Sequence, residues 1–312
     1  MTILRSQRAA SSYIDPATLM AVKSLELRAK TIVEGFLNGL HRSPYHGFSV
    51  EFTEYRQYSQ GDDPRHLDWK LYARSDRYYV KRFEDETNLR CHILLDCSRS
   101  MEYGSGEYTK GDYARTLGAT LAYFLSTQRD AVGLIRFDDN VTEIVPARYR
   151  TGHLRRLLVS LERPMSGAAT DLVRPLERIA EHASKRGLLV LLSDLLTPVD
   201  LLDQRLGYLR ARGHEVVLFQ ILDRAELDFN FDKPALFEDV ESGSEIYVDP
   251  VRTRDAYQSK LEAHLAGIRA CCEKLGIIYQ LLPTDEPLEG ALPEFLRARQ
   301  QFGSVSVRGR AL

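Results

Sequence analysis

Between residues 91 and 283, short apolar runs alternate with longer stretches in which apolar residues recur every three or four positions. The runs CHILL (91–95), AVGLIRF (131–137), GLLVLLS (187–193), HEVVLFQI (214–221) and IIYQLLP (277–283) have the length and side chains of buried strands. TEIVP (142–146) reads as a further strand, joined to its predecessor by a hairpin-type turn at Asp139-Asn140. The intervening periodicity predicts helices near 112–126, 151–161, 171–184, 199–211 and 254–275. In the first, Ala114, Leu117, Leu121 and Phe124 share a face. In the last, Tyr257, Leu261, Leu265, Ile268, Cys272 and Leu275 are in register. Apolar strands separated by amphipathic helices predict an α/β fold, a mostly parallel sheet with helices on both faces. The 131–146 pair adds one antiparallel edge strand.

The flanks differ. Residues 16–40 predict a helix opened by Pro16, with Leu19, Val22, Ala29, Ile32, Val33 and Phe36 on one stripe. Residues 48–90 are aromatic and charged, and SQGDDP (59–64) is a turn signal, so this block reads as a β-hairpin. The expected divisions are therefore an N-terminal helix and hairpin extension (1–88), the α/β domain (89–285), and a C-terminal helix with a flexible tail (286–312). The tail begins at about residue 303.

Bulk properties narrow the function. The 312 residues carry a formal charge of −2, with both signs interspersed, which argues against a dedicated nucleic-acid binder. Four cysteines without a CxxC pattern read as reduced thiols. The first residues lack a signal-peptide core, and no apolar stretch approaches the roughly 20 residues of a membrane span. The expected setting is the cytoplasm.

Chemistry gathers in three places. The first strand ends on Asp96 and is followed by Ser98 and Ser100. SGAATDL (166–172) places Thr170 just before a helix, and LLSDLL (191–196) ends a strand on Asp194. Ligands of open α/β sheets collect at the carboxyl ends of strands, where these pieces should meet. All five side chains offer hard oxygen, which suits Mg²⁺, Mn²⁺ or Ca²⁺ and does not select zinc. Two aspartates at most neutralise a divalent ion. If one reaches it through water, about one positive charge is left over. At an effective dielectric near 20 that charge is worth roughly 4 kcal/mol to an anion about 4 Å away. The cluster is suited to completion by an acidic visitor.

Asp96-x-Ser98-x-Ser100, Thr170 and Asp194 resemble the metal-ion-dependent adhesion site of von Willebrand factor A domains, in order and in placement. The block EFTEYRQYSQGDDPRHLDWKLYARSDRYYVKRFEDET (51–87) resembles the signature of the bacterial family catalogued as domain of unknown function 58, whose members carry such a domain after it. LFQILDRAELDF and YVDPVRTRDAY fit as well, so the resemblance spans nearly the whole chain. It implies a divalent metal on those five residues and a partner's carboxylate in the last coordination position. It also implies a possible role as adaptor for a MoxR-type AAA+ ATPase. Many relatives have membrane spans near the N-terminus, and this chain shows none.

Plainer readings stand beside these. Asp96 with its serines can be a loop cap, and Cys97 a small core residue facing away from the ligands. Asp62, Asp63, Arg65, His66 and Asp68 form either a surface for chemistry or, the better reading, an ion-pair network anchored by Trp69. The scattered histidines and Asp138-Asp139 are assigned no chemistry. Two functions follow. One is a non-enzymatic interaction module that captures a partner's acidic residue through its metal. The other is a phosphatase-like metal-dependent hydrolase with Asp96 as nucleophile. The second lacks an acid/base aspartate two residues on, where Ser98 stands. It also lacks an evident lysine partner and a phosphate-cradling glycine loop.

Overall fold

The computed structural model describes residues 14–42, 55–57, 72, 78–81, 89–165, 167, 173–182, 186–231, 233–238 and 243–308. It divides into two compact units, residues 38–88 and the remainder. Within the smaller unit, β1 (Tyr55–Gln57) and β2 (Tyr79–Lys81) pair antiparallel, Tyr55 opposite Lys81. The rings of Tyr72 and Tyr78 stack at 4.5 Å. Asp62, Asp63, Arg65, His66, Asp68 and Trp69 lie outside the described residues.

The larger unit is a six-stranded sheet built from β3 (Arg90–Asp96), β4 (Ala131–Phe137), β5 (Val141–Arg148), β6 (Leu188–Ser193), β7 (Glu215–Leu222) and β10 (Ile278–Pro283). Its order is β10-β7-β6-β3-β4-β5. Every neighbouring pair is parallel except β4 with β5, so β5 is the expected antiparallel edge. All six residues of β6 are buried, the mark of a strand covered on both faces.

Side-chain alternation sends successive residues of a strand to opposite layers. On one face Ile93 and Leu192 meet α3 (Lys110–Thr127), whose Gly118 lets the helix approach them closely. On the other, Leu94, Ile135, Leu189, Leu191 and Leu218 pack against three helices. These are α5 (Val173–His182), α6 (Val199–Ala211) and α8 (Pro250–Leu275). Each fully buried leucine or isoleucine contributes roughly 1.5–3 kcal/mol. The helix α4 (His153–Leu161) lies beyond β5 in the chain, and Leu161 also reaches Gly118.

Several expectations shift. The N-terminal helix is two helices, α1 (Pro16–Met20) and α2 (Leu25–Arg42). Ser24 Oγ accepts from Leu27 N and caps α2, while the Arg28 guanidinium donates to the carbonyls of Met20 and Val22 that the break frees. Helix α8 starts four residues early, at Pro250, because Asp249 caps Val251 N and proline is favoured at the first helical position. Between β7 and α8 stand the short α7 (Arg224–Asp228) and a hairpin of β8 (Ala235–Glu238) with β9 (Glu245–Val248), where no element was expected. At the C-terminus α9 runs from Ala291 to Arg308, through the stretch expected to be tail. A lone glycine, Gly303, costs a helix only about 1 kcal/mol. The N-terminal residues from Ile14 to Leu37 belong with the α/β unit, whereas the sequence reading grouped them with the hairpin. Among the described residues, no helix is long and apolar enough to cross a membrane.

Candidate functional site at the carboxyl ends of the strands

β3 and β6 are parallel neighbours, Leu95 opposite Leu192, so their last residues reach the same edge. Asp96 ends β3, and Ser193 ends β6 with Asp194 directly after it. Asp96, Ser98, Ser193 and Asp194 have no exposure, and Ser100 has little. Asp96 Oδ1 accepts from Ser98 N at 2.9 Å, and Oδ2 accepts from Ser193 Oγ at 2.5 Å. Ser98 and Ser100 hydroxyls lie 3.1 Å apart, brought together by the single 3-10 turn Arg99–Glu102.

Gly167, three residues before Thr170 in sequence, is drawn to the same place. Gly167 N donates to Cys97 O at 3.1 Å, so close that a Cβ at Gly167 would meet that oxygen at 2.4 Å. Arg136, on β4, donates to the carbonyls of Arg163 and Pro164 and fixes the approach of that segment. Its Nε lies 3.3 Å from the Cys97 sulfur, which is buried. Thr170 itself is outside the described residues.

The backbone after Asp194 is clamped. Gln220 Nε2 donates to Asp194 O at 2.8 Å, Leu195 N donates to Ser193 Oγ at 3.0 Å, and His264 Nε2 donates to Leu195 O at 2.9 Å. Leu195 takes a left-handed φ of 55°, a strained conformation for a leucine that persists because its surroundings over-determine it.

Contrary to the sequence reading, a lysine does partner the cluster. Lys110, the first residue of α3, has no exposure. Its Nζ lies 2.9 Å from Asp194 Oδ2 and 2.7 Å from Glu226 Oε1. Burial pulls the ammonium's pKa down, but Asp194 and Glu226 together outweigh it and the net direction is up. Glu226 is raised by its own burial against that pair. Asp96 is pushed up to about 7, first by burial and then by the charge of Asp194. Two carboxylates, Asp194 and Glu226, face one ammonium, and Asp96 lies beside Asp194. The carboxylates outnumber the ammonium, and Asp194 Oδ1, buried, has no hydrogen-bond partner among the described residues. An isolated buried carboxylate oxygen is costly unless something cationic answers it. Among the described residues no three His, Cys, Asp or Glu side chains converge as ligands. Two carboxylates supplemented by hydroxyls are a different donor set, and its hardness fits Mg²⁺, Mn²⁺ or Ca²⁺.

The sequence reading missed Ser193, Lys110 and Glu226. Ser193 sits beside Asp194 in the quoted motif. No local signal marks Lys110, because its partners lie 84 and 116 positions away.

Comparison with known proteins identifies the chain. The profile of the family described as "Protein of unknown function DUF58" matches residues 54–267. The chain belongs to this family. It is 27% identical over 292 residues to "Uncharacterized protein Rv1480" of Mycobacterium tuberculosis, covering 92% of this chain and 91% of that protein. "Uncharacterized protein MAV169" of Mycobacterium avium is 26% identical over 162 residues, half of this chain. An aerotolerance-related membrane protein from Bacteroides fragilis has a solved structure with a TM-score of 0.47 and 12% identity, covering 68% of this chain and 99% of that one. The SpRpn10 VWA domain gives 0.38 and 13%, covering 65% and 93%. The fold of the family member described here is a mostly parallel six-stranded sheet between two helical layers with one antiparallel edge.

Proposed function

We propose that this family member is a non-enzymatic protein-interaction module. Asp96, Ser98, Ser100, Thr170 and Asp194 hold a divalent cation, Mg²⁺ or else Mn²⁺ or Ca²⁺, that captures an acidic residue of a protein partner. The observation that carries the reading is the orphaned Asp194 Oδ1 in a buried set of hard oxygens where carboxylates outnumber the one ammonium. The cation supplies the missing charge and an open coordination position. The protein's own part is to keep Asp96 and Asp194 oriented through Ser193, Gln220 and the Ser98 amide. The resemblance noted above makes a MoxR-type AAA+ ATPase the candidate partner. Four buried cysteines, none in a disulfide, suit a reducing cytoplasm.

Titration calorimetry with Mg²⁺ alone tests the site. Wild type should bind, and Asp96→Ala should not, while its circular dichroism stays native because the core does not depend on the ion. A cognate AAA+ ATPase should be captured with Mg²⁺ and released by EDTA. Capture indifferent both to EDTA and to Asp96→Ala would sink the mechanism.

Lys110 revives one feature of the hydrolase alternative. Its ammonium is already shared between two carboxylates, however, and the position of the second acid is still Ser98. Phosphate-ester turnover that vanishes in Asp96→Asn would favour that alternative.

A further inference from the structure

Resting on the proposed cation site, we infer that Lys110 is a built-in competitor for Asp194, and that Glu226 is the receptor which keeps the ammonium when a divalent cation arrives. The geometry is that of a shared charge. Lys110 Nζ is within hydrogen-bond reach of both Asp194 Oδ2 and Glu226 Oε1, and the ring of Tyr103 lies 5.8 Å away. A fully buried ammonium with two acceptors loses only one of them if Asp194 turns to another cation. The remaining acceptor is fixed in advance. Glu226 Oε2 accepts from Asp223 N at 2.8 Å, and Asp223 accepts from Ala225 N, so the two close a reciprocal cap on α7. The Tyr257 hydroxyl donates to the Glu226 carbonyl and holds the same turn from α8.

The charge count gives the device its direction. Without a divalent ion Lys110 partly neutralises Asp194, which protects the fold from two adjacent unpaired aspartates. With the ion present, Asp194 is satisfied by two charges and Lys110 pairs fully with Glu226. The competitor therefore lowers divalent affinity. Lys110 acts as a positioning residue through Asp194.

Mg²⁺ affinity, read by calorimetry and by the Mg²⁺-induced rise in Tm, tests this in the full chain. Glu226→Gln commits the ammonium to Asp194 and should weaken Mg²⁺ binding about tenfold, roughly 1.4 kcal/mol. Lys110→Met combined with Glu226→Gln keeps the wild-type net charge. Because both partners go, it leaves neither of that pair buried alone. Simple long-range electrostatics predicts wild-type affinity for it, whereas competition predicts binding about tenfold tighter. Wild-type affinity in the double variant overturns the inference, as does an unchanged affinity in Glu226→Gln. A wild type that binds no divalent ion overturns the cation site and this inference with it. A wild type that binds while both variants match it removes only the role of Lys110.

Discussion

Both ends of the central sheet bury polar groups, but they settle the charge differently. At the amino end Asp130 and His214 are buried and His92 is half-buried, and Asp130 Oδ1 and His92 Nδ1 lack a hydrogen-bond partner among the described residues. Asp130 is answered by Arg299 of α9 at 3.0 Å, and His92 is driven to its neutral form, its pKa lowered to about 4 by burial and by His214. There the buried carboxylate has a cation of its own. At the carboxyl end Asp194 and Glu226 share one lysine, and Asp96 beside Asp194 has no cationic partner among the described residues. Buried polarity is thus no sign of a site by itself. An uncompensated sign of charge, at the edge where ligands of α/β sheets gather, is the informative feature.

The contrast can be broken by experiment. Arg299→Ala leaves Asp130 buried without its cation and should cost about 3 kcal/mol in urea unfolding at pH 7, the scale for breaking a buried pair. The loss should shrink near pH 5, because Asp130, already raised to about 6 by burial despite Arg299, then takes up a proton. Mg²⁺ affinity should not change. If it does, the two ends are coupled and the comparison fails.

His92 gives a pH signature. Its neutral form is favoured in the fold, with a pKa near 4 against an ordinary 6.5. Its contribution is complete above the ordinary value and is lost as pH falls from there toward 4. The stability of wild type relative to His92→Gln should therefore fall by up to about 3 kcal/mol over that range. A flat difference would place the imidazole in water.

The smallest effect is expected at Ser193. Ser193→Ala removes the donor to Asp96 and the acceptor for Leu195 N, at a cost of about 1–2 kcal/mol. Mg²⁺ binding should weaken without vanishing. Complete loss would make Ser193 a ligand rather than a support.

Much of the sheet was legible because its signals are local. Runs such as LLVLL cannot be exposed, and the period of Leu265, Ile268 and Cys272 marks one face of α8. The two aspartates were legible because each ends such a run. What escaped depends on contacts distant in sequence. Lys110 meets partners 84 and 116 positions away, and nothing in TKGDY announces them. The break at residues 21–24 is stabilised by the side chain of Arg28, and β8–β9 is too short for periodicity to register.

The bend at Leu195 has one more implication. Asp194 is posed by main-chain tethers from Gln220 and His264, none of which involves its carboxylate. Shape and charge are therefore independent variables at this position. An isosteric amide there would empty the electrostatics while leaving the scaffold in place, a clean control for any test of the proposed cation site.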